Sequence, residues 1–223
     1  MNLGAPGPDG PRIAVLDYGI GNLRSAEKAL VHVGASAQLM RDPEAVEGAA
    51  GVVLPGVGAF GPCAAALSAS GLADAARWAI ETGVPFLGIC VGFQLLYDGS
   101  DESPGVPGLG VLPGTVHRLA GAVPVPVPQM QWNALERRKA ASGLLAGLGP
   151  RPWVYFVHSY APPIGEETVA TCEYGGPVAA AAERGTVWGT QFHPEKSGTS
   201  GLAILANFVA RCAAVAGAAQ RDR

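Results

Sequence analysis

Apolar residues come in short blocks that alternate with amphipathic stretches. Residues 13–16 form a continuous apolar block that ends in Asp17 and runs into the turn residues Gly19 and Gly21. Across residues 22–33, Leu23, Ala26, Leu30 and Val33 then recur at helical spacing. This pattern predicts strand, tight turn, helix. It returns with a strand over 51–54, a Pro-Gly loop and a helix over 63–80 interrupted near Gly71. A third copy has a strand over 84–89, a turn at Cys90 and a helix over 92–97. Short apolar strands alternating with helices predict parallel strands covered on both faces. The fold class is therefore α/β, three layers with a mostly parallel central sheet flanked by helices and ligand sites at the strands' carboxyl ends.

The second half reads differently. Residues 106–128 are rich in Gly, Pro and Val, and 123–128 alternate Val with Pro, which cannot donate a ladder hydrogen bond. Extra edge strands and loops are expected there. Further strands are predicted over 153–157, 168–174, 178–182 and 187–191, and a closing helix over 200–214. The chain shows no repeat and no linker, so the expected organisation is a loose tail over 1–12, one domain over 13–214 and a C-terminal tail over 215–223.

Composition narrows the classes. A length of 223 residues suits one domain, and 48% hydrophobic against 15% charged residues supports a sizeable core. Net charge is only −3, too weak a field to gather nucleic acid or anionic lipid. Residues 48–73 carry no charge, but Pro55, Pro62 and several Gly and Ser residues mark strand, loop and helix rather than a membrane span. The first twelve residues lack both a basic start and an apolar block, so no secretory signal is read there. Four cysteines without CxxC spacing point to a reducing, cytoplasmic setting, and no cluster has metal-ligand spacing, so neither metal nor cofactor is expected.

Two local patterns carry chemistry. Gly88-Ile89-Cys90-Val91-Gly92 places a Cys between an apolar strand and a helix, with Gly two positions to either side. A nucleophile elbow reverses too sharply for flanking side chains, hence the glycines. A buried structural Cys fits the pentapeptide alone equally well. Gln191-Phe192-His193-Pro194-Glu195 tips the balance: a strand delivers His193, the turn stiffens at Pro194, and Glu195 can reach back to the imidazole. Cys90, His193 and Glu195 then supply nucleophile, base and orienting carboxylate. A third pattern, Pro55-Gly56-Val57-Gly58, can aim backbone amides at an oxyanion but is weak alone.

Four segments together carry a resemblance. They are Asp17-Tyr18-Gly19-Ile20-Gly21-Asn22-Leu23-Arg24-Ser25, Pro55-Gly56-Val57-Gly58-Ala59-Phe60, Tyr155-Phe156-Val157-His158-Ser159-Tyr160 and Gln191-Phe192-His193-Pro194-Glu195-Lys196-Ser197. With the elbow, they resemble the class I (triad) glutamine amidotransferases, and more narrowly the glutaminase subunits of imidazole glycerol phosphate synthase in histidine biosynthesis, over residues 13–209. The resemblance implies a flavodoxin-like fold and hydrolysis of glutamine through a glutamyl thioester on Cys90. It further implies a heterodimer with a (β/α)8-barrel cyclase that receives the ammonia.

Several roles follow from that resemblance. Backbone amides of Val57 or Gly58 and of Val91 would form the oxyanion hole, with the Val57 peptide reorienting first. Gln94, Ser159 and Tyr160 would hold the glutamine backbone, and Glu102 its ammonium. Asn22, Trp132, Asn133 and Lys196 would face the cyclase. Pro128-Gln129-Met130-Gln131-Trp132-Asn133 departs from the family's usual Pro-His-Met-Gly-Trp-Asn, with Gln129 for His and Gln131 for Gly. His158 is expected to pack beside the site, His32 and His117 to lie at the surface, and Cys63, Cys172 and Cys212 to serve as small apolar fillers. Rival readings are a glutaminase serving a chorismate- or nucleotide-using synthase, and a non-catalytic binding subunit of the same fold.

Overall fold

A computed structural model describes residues 10–120 and 125–221. β1 (Arg12–Leu16) leads through α1 (Leu23–His32) to β2 (Ser36–Met40). β3 (Gly51–Gly56) leads through α2 (Phe60–Ala69) and α3 (Leu72–Glu81), which part at Gly71, to β4 (Phe86–Cys90) and the single turn α4 (Val91–Gln94). Short strands β5 (Gly99–Ser100), β6 (Thr115–Arg118), β7 (Gln129–Ala134) and β8 (Glu136–Arg137) come next. The chain closes with β9 (Trp153–His158), β10 (Tyr160–Ala161), β11 (Thr168–Glu173), β12 (Pro177–Arg184), β13 (Val187–Thr190) and α5 (Gly198–Arg221).

The main sheet has the order β2-β1-β3-β4-β13-β12-β11-β8. Its first five members run parallel, while β12, β11 and β8 add an antiparallel edge. From β1 the chain steps one way to β2, and from β3 the other way to β4. Right-handed crossovers therefore put α1 on one face and α2 with α3 on the opposite face. In keeping with this, α1 packs with α5, and α2 packs with α3 and α4. The order reverses between β1 and β3, where such sheets open a crevice beyond the strands' carboxyl ends. Central β3 and β4 are buried at every position, which is why they read as continuous apolar runs.

Some boundaries differ from the sequence expectation, each for a physical reason. β2 has no apolar run to announce it, because Ser36, Gln38 and partly exposed Leu39 interrupt the pattern on this edge strand. α4 stops at Gln94 rather than at 97, because the carbonyls of Leu95, Leu96 and Tyr97 accept from Leu109, Val111 and Gly110 of the following loop. The closing helix continues to Arg221, through a stretch expected to be tail, since its alanines are strong helix formers. At the other end Arg12, assigned to the loose tail, already pairs with Ser36; residues 1–9 of that tail lie outside the described residues, as do 121–124. By length and composition α5 could cross a membrane, but Ile204, Leu205, Phe208 and Cys212 are fully buried in the core.

Candidate active site

At the end of β4, Cys90 adopts φ 56° and ψ −112°, the one non-glycine residue with positive φ among those described. A backbone of this kind costs about 1–3 kcal/mol and persists only where the surroundings enforce it. Here the enforcement is close packing of backbone on backbone. A Cβ on Gly88 would lie 2.7 Å from the Gly92 carbonyl oxygen, and one on Gly92 would overlap the Leu54 carbonyl oxygen on β3. Only glycine at both positions lets β4 reverse into α4 and hold the Cys90 side chain over the sheet edge.

His193 follows the adjacent strand β13. Its backbone N–H donates to the Tyr155 carbonyl at 3.0 Å, and its carbonyl accepts from the Ser197 hydroxyl at 2.6 Å. Ser197 in turn accepts from the Tyr155 amide at 3.0 Å, so β9 and the turn over Pro194–Lys196 fix the residue from both sides. The ring is oriented as well. Nδ1–H donates to Glu195 Oε1 at 2.8 Å, and Asn22 Nδ2 donates to the same oxygen at 3.2 Å. This leaves Nε2 buried without a hydrogen bond of ordinary geometry. Burial by itself lowers the imidazole pKa; the nearby Cys90 sulfur and Glu195 outweigh that effect and raise it above the ordinary histidine range. A base with one nitrogen held by a carboxylate and the other free beside a thiol is the arrangement of a catalytic triad.

A cavity of about 410 Å³ opens over these groups. Cys90, His193, Val57, Gly58, Val91, Gln94, Glu102, Ser159, Tyr160 and Lys196 all line it, so segments far apart in sequence meet around one cavity. The sequence matches the glutamine amidotransferase class-I family over residues 14–212. The chain belongs to that family.

Curated relatives of this amidotransferase include proteins named imidazole glycerol phosphate synthase subunit HisH. That of Deinococcus radiodurans is 48% identical over 200 residues, covering 89% of this chain and 93% of the relative. That of Geobacillus kaustophilus is 48% identical over 203 residues, covering 88% and 95%. Among solved structures, a putative GMP synthase subunit from Thermoplasma acidophilum superposes with a TM-score of 0.73 at 19% identity, covering 96% of this chain and 100% of that one. PurLQS from Thermotoga maritima gives 0.71 at 21% identity, with coverage of 90% and 98%. At such identities the likeness concerns the fold.

Around Cys90, His193 and Glu195, the remaining expected residues divide. Glu102 lines the cavity, and its Oε2 accepts from the Phe60 amide at 2.8 Å, tying the segment that carries Glu102 to the start of α2. Asn22 and Asn133, expected at a partner face, spend side-chain donors inside the chain, Asn22 on Glu195 and Asn133 on the Glu173 carbonyl at 2.8 Å. Trp132 lies outside the cavity on β7 and is 48% exposed, beside Met130 at 62% and Trp153 at 57%. Gln131 sits within the regular β7–β9 ladder without a positive φ, so a side chain is accommodated there.

Sequence reading missed two residues that grip the Gly-rich loop. The Tyr18 hydroxyl donates to the Pro55 carbonyl at 2.7 Å, and the Cys63 thiol to the Val57 carbonyl at 3.3 Å. Burial raises both pKa values, which keeps each group a protonated donor. Tyr18 lies in the first of the four resembling segments, where nothing in the letters gives it a role, and nothing local to Cys63 separates it from a filler.

Proposed function

We propose that the chain is the glutaminase subunit of imidazole glycerol phosphate synthase, hydrolysing glutamine and delivering ammonia to a (β/α)8-barrel cyclase partner in histidine biosynthesis. One observation carries the chemistry: the free His193 Nε2 beside Cys90, with Nδ1 held on a buried carboxylate. In this reading the Cys90 proton passes to His193 Nε2 as sulfur attacks the carboxamide carbon. Backbone amides of Val57 or Gly58 and of Val91 receive the oxyanion, each such donor being worth about 3 kcal/mol. The imidazolium returns its proton to the leaving nitrogen, ammonia departs, and a glutamyl thioester remains. Water, deprotonated by His193, then releases glutamate and restores the thiol.

Gln94, Ser159 and Tyr160 hold the amino-acid end of the substrate, and the free oxygen of Glu102 takes its ammonium. Lys196 and the exposed Trp132 face the partner, while Asn22 steadies Glu195 rather than docking. Four buried, unpaired thiols suit a reducing cytoplasm. The named relatives at close to half identity favour this acceptor over a chorismate- or nucleotide-using synthase; the putative GMP synthase subunit shares the fold at only 19% identity.

The test is glutamate release by the chain alone, with the cyclase, and with cyclase plus its nucleotide ligand. Stimulation by the ligand-bound partner, abolished in Cys90→Ala, is expected. Turnover surviving in Cys90→Ala removes the nucleophile assignment; indifference to the cyclase removes the proposed pairing with that partner.

A further inference from the structure

Along the cavity wall, a line of buried amides connects β10 to the Cys90 sulfur. Gln94 Nε2 donates to the Tyr160 carbonyl at 2.9 Å and to Gln191 Oε1 at 3.0 Å. Gln191 Nε2 lies 3.8 Å from Cys90 Sγ. Both glutamines are buried, Gln191 completely. Side-chain amides can usually be turned end for end, but here the orientation follows from chemistry. A backbone carbonyl only accepts, so the Gln94 group that meets Tyr160 must be its NH2. With one hydrogen there, the second points to Gln191, which must therefore present its oxygen. The other end of the Gln191 amide, facing sulfur, is then an N–H donor.

The Tyr160 carbonyl is itself held on its far side. His158 Nδ1 lies 2.9 Å from it, and burial lowers the His158 pKa to about 4, so the ring is neutral with its proton on Nδ1. Two donors thus converge on one carbonyl and fix its direction. Neither Gln191 nor this polarity has a part in the triad or in the oxyanion hole.

We propose that Gln191 stabilises the Cys90 thiolate by donating an N–H to sulfur, with Gln94 and the Tyr160 carbonyl as positioning groups that forbid the opposite amide orientation. The inference rests on Cys90 being the nucleophile. A donor aimed at sulfur favours the charged over the protonated form and makes the proton transfer to His193 easier. The other titratable groups near the sulfur are Tyr18, Cys63 and His193, with Glu102, His158, Tyr160 and Lys196 lining the same cavity. Substituting Gln191 leaves all of them in place.

The experiment reads the thiol directly, not turnover. Iodoacetamide alkylation of Cys90 is followed by mass spectrometry of its peptide across pH 5 to 10 in the full chain. Gln191→Met keeps the volume and removes the donor. Its alkylation midpoint is expected to rise by about one pH unit, with a rate at neutral pH about tenfold lower. Because Gln191 lies close in sequence to His193, the pair is repeated in a His193→Ala background. There the shift should persist, and its disappearance would mean that Gln191 acts only through the imidazole, which overturns the proposal. Should Gln191→Met fail to fold, Gln94→Met reads the same line: a freed Gln191 amide gives a smaller shift in the same direction, and an unchanged midpoint overturns the proposal. Failure here with Cys90→Ala still inactive in glutamate release rejects the Gln191 donor alone, whereas an active Cys90→Ala rejects the catalytic reading beneath it.

Discussion

His158 ties stability to pH in a way the structure makes quantitative. It is buried on β9; burial first, then the nearby His193, lowers its pKa to about 4, against a partial upward pull from the Tyr160 carbonyl. A neutral ring with its proton on Nδ1 needs a donor at Nε2, where Gln129 stands 3.0 Å away. In the structure Gln129 Oε1 lies 3.0 Å from His158 Nε2 and Gln129 Nε2 donates to Cys172 Sγ at 3.7 Å; an end-for-end turn of this amide gives the neutral ring its donor and hands the oxygen to the Cys172 thiol, which burial keeps protonated with a pKa of about 12. Below about pH 6.5, the ordinary histidine value, the unfolded chain takes up a proton that the folded chain refuses until about pH 4. More protons on the unfolded side mean that stability rises with pH across that window and is flat above it. At about 1.36 kcal/mol per unit, the single site costs about 2 to 3 kcal/mol at pH 4.5 relative to pH 7.5, and about 3 kcal/mol once both forms are protonated. His158→Leu removes the titration and, with it, that slope. Urea unfolding of both proteins at the two pH values gives the comparison, with the other histidines, His193 included, present in both. The wild type should lose about 2 to 3 kcal/mol more than the variant between pH 7.5 and 4.5. Equal losses, within about 0.5 kcal/mol, would refute a neutral buried imidazole and the amide orientations derived from it.

Other perturbations separate the parts of the site. Glu195→Gln can donate to His193 Nδ1 and impose the tautomer whose Nε2–H faces the thiol; glutamate release by the assembled enzyme should fall roughly ten-thousand-fold with little change in the urea midpoint. Gly92→Ala drives a methyl into the Leu54 carbonyl, so soluble yield or the urea midpoint should drop sharply, and a wild-type midpoint would show that the elbow has room to relax. Trp132→Ala removes an exposed aromatic from β7; binding to the cyclase should weaken by about 2 kcal/mol, roughly thirtyfold, while the stability of the isolated chain moves by less than about 0.5 kcal/mol.

Much of the site was legible because its most demanding features are local. A turn that reverses at one residue with φ 56° forces small neighbours, so Gly88 and Gly92 announce Cys90 in five consecutive letters. Glu195 reaches His193 across a single proline, and central strands buried on both faces read as unbroken apolar runs. Edge elements were harder. β2 and β7 mix polar with apolar residues because one side of each meets solvent, so their identity depends on a partner strand rather than on their own pattern.

The sequence alone therefore determined the strand-helix alternation and the elbow, and it singled out Cys90, His193 and Glu195 as candidates, since each follows from the stereochemistry of a few adjacent positions. Only the tertiary structure decided which distant groups meet: Tyr18 on Pro55, Cys63 on Val57, Asn22 on Glu195, and Gln94 between Tyr160 and Gln191. Hydrogen-bond partners and their donor-acceptor direction are set by sheet order and register. Those arise from burying the whole core at once, and no short segment carries that information.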